Sequence, residues 1–154
     1  MRKLFSGILI IILPCLILLM ASCTPGSCFE ETESYLKASF YSYETRKLTV
    51  PDSLSLNGLN NDSIIYSKSA KVQPALIPLN ASQDNCIFVI IINGVIDTIQ
   101  FRYTSYPHLI SKECGYTFYH HLDTVIPKYH AIKEIIYSNK TVTNLNVENI
   151  RIYY

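Results

Sequence analysis

The chain has 154 residues, and its 13 basic and 12 acidic side chains leave a net charge of only +1, which gives no electrostatic reason to expect nucleic acid or an anionic surface as a partner. Twelve tyrosines, no tryptophan and five glycines fit a strand-rich domain with half-buried faces. The length allows one domain with one sizeable core, and the lack of heptads and internal repeats excludes a coiled coil or a solenoid.

Arg2 and Lys3 open the chain, an apolar run follows from Leu4 to Met20, and the small pair Ala21-Ser22 stands directly before Cys23. A basic start, an apolar stretch and a small-residue cleavage site are the parts of a secretory signal peptide. The cysteine immediately behind them makes the leader resemble a bacterial lipoprotein signal. That resemblance implies cleavage before Cys23, diacylation of its thiol and attachment to a membrane through lipid. An uncleaved membrane span is the competing reading, but the run is near the lower length limit for one and contains Pro14. The expected division is therefore a leader (residues 1–22), a lipidated tether (23–33) and a β-sandwich domain (34–154). Without the leader the chain keeps 132 residues, with 11 basic against 12 acidic side chains.

Thr24-Pro25-Gly26-Ser27 is a turn-rich stretch, and the five steps from Cys23 to Cys28 reach roughly 17 Å at full extension. The folded domain is thus expected close to the bilayer. Glu30, Glu31 and Glu33 form an acidic cluster behind it. In some lineages an acidic run directly after the lipidated cysteine sends the protein to the cell surface. Here it starts late, after a Pro-Gly turn, which favours outer-membrane attachment facing the periplasm. A solvated start to a strand accounts for the same three glutamates.

Leu36, Ala38 and Phe40 alternate with polar residues from Tyr35 to Tyr43, a half-buried first strand. Pro51-Asp52 turns the chain into a second strand at Leu54 and Leu56 that Asn57-Gly58 interrupts, and Asn60-Asn61-Asp62 turns it into a short third one, Ser63 to Tyr66. Val72 to Leu79 holds Pro74 and Pro78, so it is expected as an edge strand or an extended cover. Asn93-Gly94 is a preferred two-residue hairpin turn inside the clearest element, Cys86 to Thr104. Pairing Ile92 with Val95 places Ile90 opposite Asp97, Phe88 opposite Ile99 and Cys86 opposite Phe101. That face is apolar except for Asp97 and is the expected core face, with Cys86 on it as a small buried hydrophobe. The opposite face holds Ile87, Val89, Ile91 and Ile96, an aliphatic row larger than a lone domain usually leaves bare. It is a candidate interaction face, to be covered by a segment such as Val72 to Leu79, by an envelope protein or by a glycan. Tyr106-Pro107-His108 breaks the alternation, and Tyr116 to Leu122, Ile132 to Ser138 and Ile150 to Tyr154 read as further strands. About eight short strands without a convincing helix indicate an all-β, antiparallel β-sandwich.

Several phrases resemble one family of envelope lipoproteins known only as a domain of unknown function. They are Cys28 with Lys37-Ala38-Ser39-Phe40-Tyr41, Phe101-Arg102-Tyr103-Thr104, Ser111-Lys112-Glu113-Cys114-Gly115-Tyr116, and Ile150-Arg151-Ile152-Tyr153-Tyr154. The likeness covers nearly the whole chain behind the leader. It implies an immunoglobulin-like sandwich and matches the family's cysteines to Cys28 and Cys114, hence a disulfide between them. Cys86 has no counterpart, in agreement with its place on the core face. The family brings no known activity.

Chemistry is sparse. The four histidines, His108, His120, His121 and His130, lack zinc-site spacing, and His120 and His121 point to opposite faces of a strand. No catalytic residue, metal ligand or cofactor site is assigned. Tyr41, Tyr43, Tyr103, Tyr106, Tyr116 and Tyr119 are candidates for a sugar-stacking platform, though outer-face tyrosine is also ordinary amphipathic packing. Asp52-Ser53-Leu54, Asp62-Ser63-Ile64, Asp97-Thr98-Ile99 and Asp123-Thr124-Val125 repeat an Asp-Ser/Thr-aliphatic pattern. It resembles an O-glycosylation signal of some gut-anaerobe envelope proteins, with Ser53, Ser63, Thr98 and Thr124 as acceptors; turn grammar writes the same tripeptide. The expected function is a non-enzymatic, lipid-anchored interaction or accessory module, and the alternative is a small ligand- or glycan-binding lipoprotein using the tyrosines.

Overall fold

A computed structural model describes residues 28–59 and 63–154. The expected leader, Cys23 with the first part of the expected tether, and the expected turn at Asn60-Asn61-Asp62 lie outside the described residues. Those described form strands β1 (Tyr35–Tyr41), β2 (Leu54–Gly58), β3 (Ile64–Ser69), β4 (Ala75–Pro78), β5 (Asn85–Ile92), β6 (Val95–Ser111), β7 (Gly115–Pro127), β8 (Glu134–Tyr137), β9 (Thr141–Val142) and β10 (Ile150–Tyr153). The fold is all-β and sandwich-like. One sheet runs β4-β1-β10-β8, the other β3-β2-β5-β6-β7-β9.

Alternation builds the core from both sheets. Leu36, Ala38, Phe40, Ile77, Ile150 and Ile152 come from the first, and Leu54, Leu56, Ile90, Ile92, Ile99, Phe101 and Leu122 from the second. The central hairpin has the expected register, from Ile92 opposite Val95 to Cys86 opposite Phe101. Asn93 and Gly94 both take positive φ, 50° and 84°, as the favoured two-residue turn requires. Val95 departs from the expected core face: it sits at the turn, 48% exposed. Val72 to Leu79 supplies β4, an edge strand beside β1, and so leaves the row Ile87, Val89, Ile91 and Ile96 on the other sheet without that cover.

Three expectations are corrected. Asn57-Gly58 does not interrupt the second strand but completes it, Asn57 opposite Val89 and Gly58 opposite Phe88. Tyr106-Pro107-His108 does not end the strand, because β6 continues to Ser111 with Pro107 opposite Phe118. Beyond Arg102 β6 has lost β5 and is paired on one side only, so a residue without an N–H fits at the open edge. Nor is every pair antiparallel. β1 and β10 run parallel, Ala38 opposite Ile150 and Tyr41 opposite Tyr153.

Asp97, the one polar residue expected on the core face, is 2% exposed and fully engaged. Its Oδ1 accepts from the N–H of Thr98 at 2.8 Å and of Lys128 at 3.2 Å. Its Oδ2 accepts from His130 at 2.8 Å and Ile132 at 3.1 Å. Residues 128–133 carry the chain from β7 in the six-stranded sheet to β8 in the four-stranded one, so this carboxylate holds the crossover to β6. Burial by itself raises the pKa, but the four backbone donors outweigh it and hold the carboxyl below its ordinary 3.8. A depressed native pKa contributes stability that is complete well above pH 3.8 and is lost as pH falls through and below that value. Asp97→Asn places an NH2 against N–H donors and is expected to cost about 2–4 kcal/mol in urea unfolding at neutral pH. The loss should shrink as the pH is lowered to 3; an equal loss at both pH values would show that the charge is not what stabilises.

Candidate functional site

The longest elements, β6 with 17 residues and β7 with 13, outlast their neighbours. β5 accompanies β6 only to Arg102, and β9 touches β7 only at His120 and His121. Past that point Tyr106 to Ser111 and Gly115 to Tyr119 pair only with each other, a two-stranded arm turning at residues 112–114. Gly115 takes φ 74° at the turn, where a side chain would be strained.

The tip of this arm is fastened to the start of the described chain. Cys28 and Cys114 form a disulfide with Cα atoms 4.8 Å apart, across 86 residues of sequence. The segment behind Cys28 then lies along one face of the arm. Thr117 Oγ1 donates to the Thr32 carbonyl at 2.7 Å, and Asn144 Nδ2 donates to the Glu31 carbonyl at 2.8 Å. Asn144 Oδ1 in turn accepts from Tyr119 Oη at 2.6 Å, while His108 stacks on the Tyr119 ring at 4.1 Å and Tyr106 meets it edge-on. The opposite face continues the core face outward in matched pairs. Tyr103 with Leu122 is buried, and Ser105 with His120 is next. Then come Pro107 with Phe118 and Leu109 with Tyr116, all exposed, Phe118 at 45%, Leu109 at 46% and Tyr116 at 73%.

The residues singled out from the sequence disperse over this frame. Tyr103 is a core residue, and Tyr106 and Tyr119 lie on the face of the arm opposite Tyr116. Tyr41, at the end of β1, and Tyr43, in the turn behind it, stand among arginines: the Arg46 guanidinium lies 4.7 Å from both the Tyr43 and Tyr153 rings, and Arg151 lies 5.4 Å from the Tyr41 ring. Arg46 also pairs with Glu134, and Arg151 with Glu148, whose carboxylate further accepts from Tyr41 and Ser138. The tyrosines thus occupy separate places rather than one platform. Ser53 is half-buried, Ser63 and Thr124 are exposed, and Thr98 is half-buried opposite Val89. Asp97 before Thr98 has a structural reason of its own, and Asp123 before Thr124 is the extra residue of a bulge between Arg102 and Tyr103. In the aliphatic row Ile87, Val89 and Ile91 are half-buried, and Ile96 is 61% exposed.

One wide groove of about 1110 Å³ opens at the end of the sandwich where the arm begins, lined among others by Leu79, Cys86, Phe88, Tyr103 and Ser105. Tyr103 Oη receives the Asn80 N–H at 2.9 Å and donates to the Asn80 carbonyl at 3.0 Å, pinning the rim. Cys86, the free cysteine among the described residues, is half-buried on the groove wall rather than fully buried as expected, and this partial burial pushes its thiol up to about 11. Beside it Ser105 Oγ and His120 Nδ1 lie 2.8 Å apart, a pair that hairpin alternation carried through Pro107 would have located. Burial lowers the His120 pKa, so the ring is neutral at pH 7. Among the described residues no carboxylate hydrogen-bonds this ring, and no grouping of histidine, cysteine and acidic side chains has the arrangement of a metal site.

The family model of DUF6452, a family of unknown function, matches residues 53–154, from the start of β2 to the end of β10. The chain belongs to this family. In this DUF6452 protein the match takes in both strands of the arm, Cys114 and the groove, and leaves Cys28 and β1 outside it. No curated protein and no solved structure matches the chain.

Two measurements check the thiol chemistry. Cys114→Ser frees the tip and enlarges the unfolded ensemble, so it is expected to lower stability by up to about 4.5 kcal/mol, from loop-closure entropy. Unchanged denaturant midpoints would show that the crosslink constrains nothing. Cys86, with its thiol raised from 9.0 to about 11, should be alkylated by iodoacetamide at neutral pH roughly 100-fold more slowly than free cysteine. A rate near that of free cysteine would contradict its burial.

Proposed function

We propose that this chain is a lipid-anchored envelope lipoprotein, an immunoglobulin-like sandwich that acts as a non-enzymatic interaction or accessory module. The observation that carries the reading is the Cys28–Cys114 disulfide. Structural disulfides persist in oxidising compartments, which is where a chain exported by the leader 1–22 arrives. The bond lies five residues behind Cys23 and ties the entering chain to a projecting arm, a layout suited to holding a folded domain at a fixed attitude above an outer-membrane surface. Two mainly antiparallel sheets around one core support the immunoglobulin-like type. The row Ile87, Val89, Ile91 and Ile96 is the surface offered to an envelope partner, and Ser53, Ser63, Thr98 and Thr124 remain the sites offered for O-glycosylation.

The second reading, a small-ligand or glycan binder, is favoured by the groove at Cys86 and Tyr103 rather than by the dispersed surface tyrosines. Protection of Cys86 from alkylation by a cell extract, lost on dialysis, would favour it.

Two experiments address the main reading. Cells fed labelled palmitate should label the protein, and Cys23→Ala should abolish the label; label that survives the change removes the lipoprotein reading. Crosslinking in intact cells should capture a partner that Ile96→Lys loses at unchanged melting temperature. If Ile96→Lys keeps every crosslink, the partner does not sit on this face.

A further inference from the structure

We infer that the bare face of the β6–β7 arm, Pro107, Leu109, Tyr116 and Phe118, docks into the lipid interface of the membrane that carries the protein. The inference rests on the lipid anchor proposed above and goes beyond it by assigning a surface and an orientation. This face is the outward continuation of the core face, and it ends in the open: Tyr116 is 73% exposed and Phe118 45%. The opposite face is occupied by the segment behind Cys28, through the Thr117 and Asn144 bonds. Phe29, next to the disulfide, is 92% exposed.

The tether decides the occupant. Five steps separate Cys23 from Cys28, a reach of roughly 17 Å, and Cys28 is covalently joined to the arm tip at Cys114. Along the strand Tyr116 lies roughly 7 Å and Phe118 roughly 14 Å from Cys114. The whole patch is therefore confined within a short distance of the bilayer surface whenever the lipid is inserted. Confinement of this kind makes docking intramolecular, so a small patch suffices. Its chemistry also fits: tyrosine, with an apolar ring and a polar tip, favours the headgroup boundary, and phenylalanine and leucine favour the acyl side. Lys112 and Glu113 at the turn offset one another, and Glu30, Glu31 and Glu33 belong to the segment on the opposite face, so the contact is apolar rather than electrostatic and calls for no anionic lipid.

The chain has no tryptophan, which allows a single-site probe. The full-length lipidated protein with Tyr116→Trp is reconstituted into phosphatidylcholine vesicles with or without bromine on the acyl chains. Leu109→Trp serves as a second probe on the same face, and Ile96→Trp as a control on the sandwich. Blue-shifted emission and roughly twofold quenching by brominated lipid at positions 116 and 109, with neither at 96, are expected. Protein that floats with the vesicles but is quenched nowhere overturns the docking and leaves the anchor standing. Protein that fails to float overturns the anchor and the docking with it. Blue-shifted emission in the vesicles that lipid bromination does not quench shows a second copy on this face, and also overturns the docking.

Discussion

The arrangement of the two sheets depends on one carboxylate. Between β7 and β8 the backbone leaves the six-stranded sheet, crosses the end of the core and joins the four-stranded sheet, and in doing so it turns N–H groups inward where no strand can receive them. Asp97 receives those of Lys128, His130 and Ile132, and that of Thr98 on its own strand. Unsatisfied donors at such a depth would each cost about 1–3 kcal/mol, so a crossover here requires an acceptor of this capacity. Asn149 serves the same purpose at the other seam. Its Oδ1 accepts from the Lys37 N–H at 2.9 Å, and its Nδ2 donates to the carbonyls of Asn139 and Thr141 at 3.0 and 2.9 Å. The apolar core determines that two sheets close on each other, and these two polar side chains determine where the chain passes between them.

The arm is built on a different balance. It has no second sheet beneath it, and isolated two-stranded ribbons are marginal in water. The disulfide at its tip and the hydrogen bonds from Thr117 and Tyr119 supply the order that burial does not. Because the stabilising segment lies on one side, the ribbon has a covered face and a bare one.

What was legible in the sequence follows from where side-chain alternation is strong. Cys86 to Phe101 could be paired residue by residue because a two-residue turn sets the register and one face is buried, and the structure agrees at every pair. Asp97 was visible as the exception on that face, but three of its four partners come from residues over thirty positions away, which no local pattern encodes. The arm was missed because Pro107 reads as a breaker, and its tolerance depends on a neighbouring strand having already ended. β9, two residues long, carries no period to detect. The groove at Cys86 was equally hidden, since its walls come from all five strands β2 to β6 and the connections between them. The parallel contact of β1 with β10 joins the first and last strands, a pairing that only the three-dimensional closure of the sheet decides.

That closure bears on how the protein is made. β10 lies between β1 and β8, so the four-stranded sheet has no centre until residues 150–153 are present. Nothing in the first strand can find its permanent neighbour on one side while the rest of the chain is still being synthesised. Leu36 and Phe40 on β1 therefore reach their full burial only once β10 has been added beside them. Pairing the first strand with the last thereby makes closure of this sheet a late step in folding.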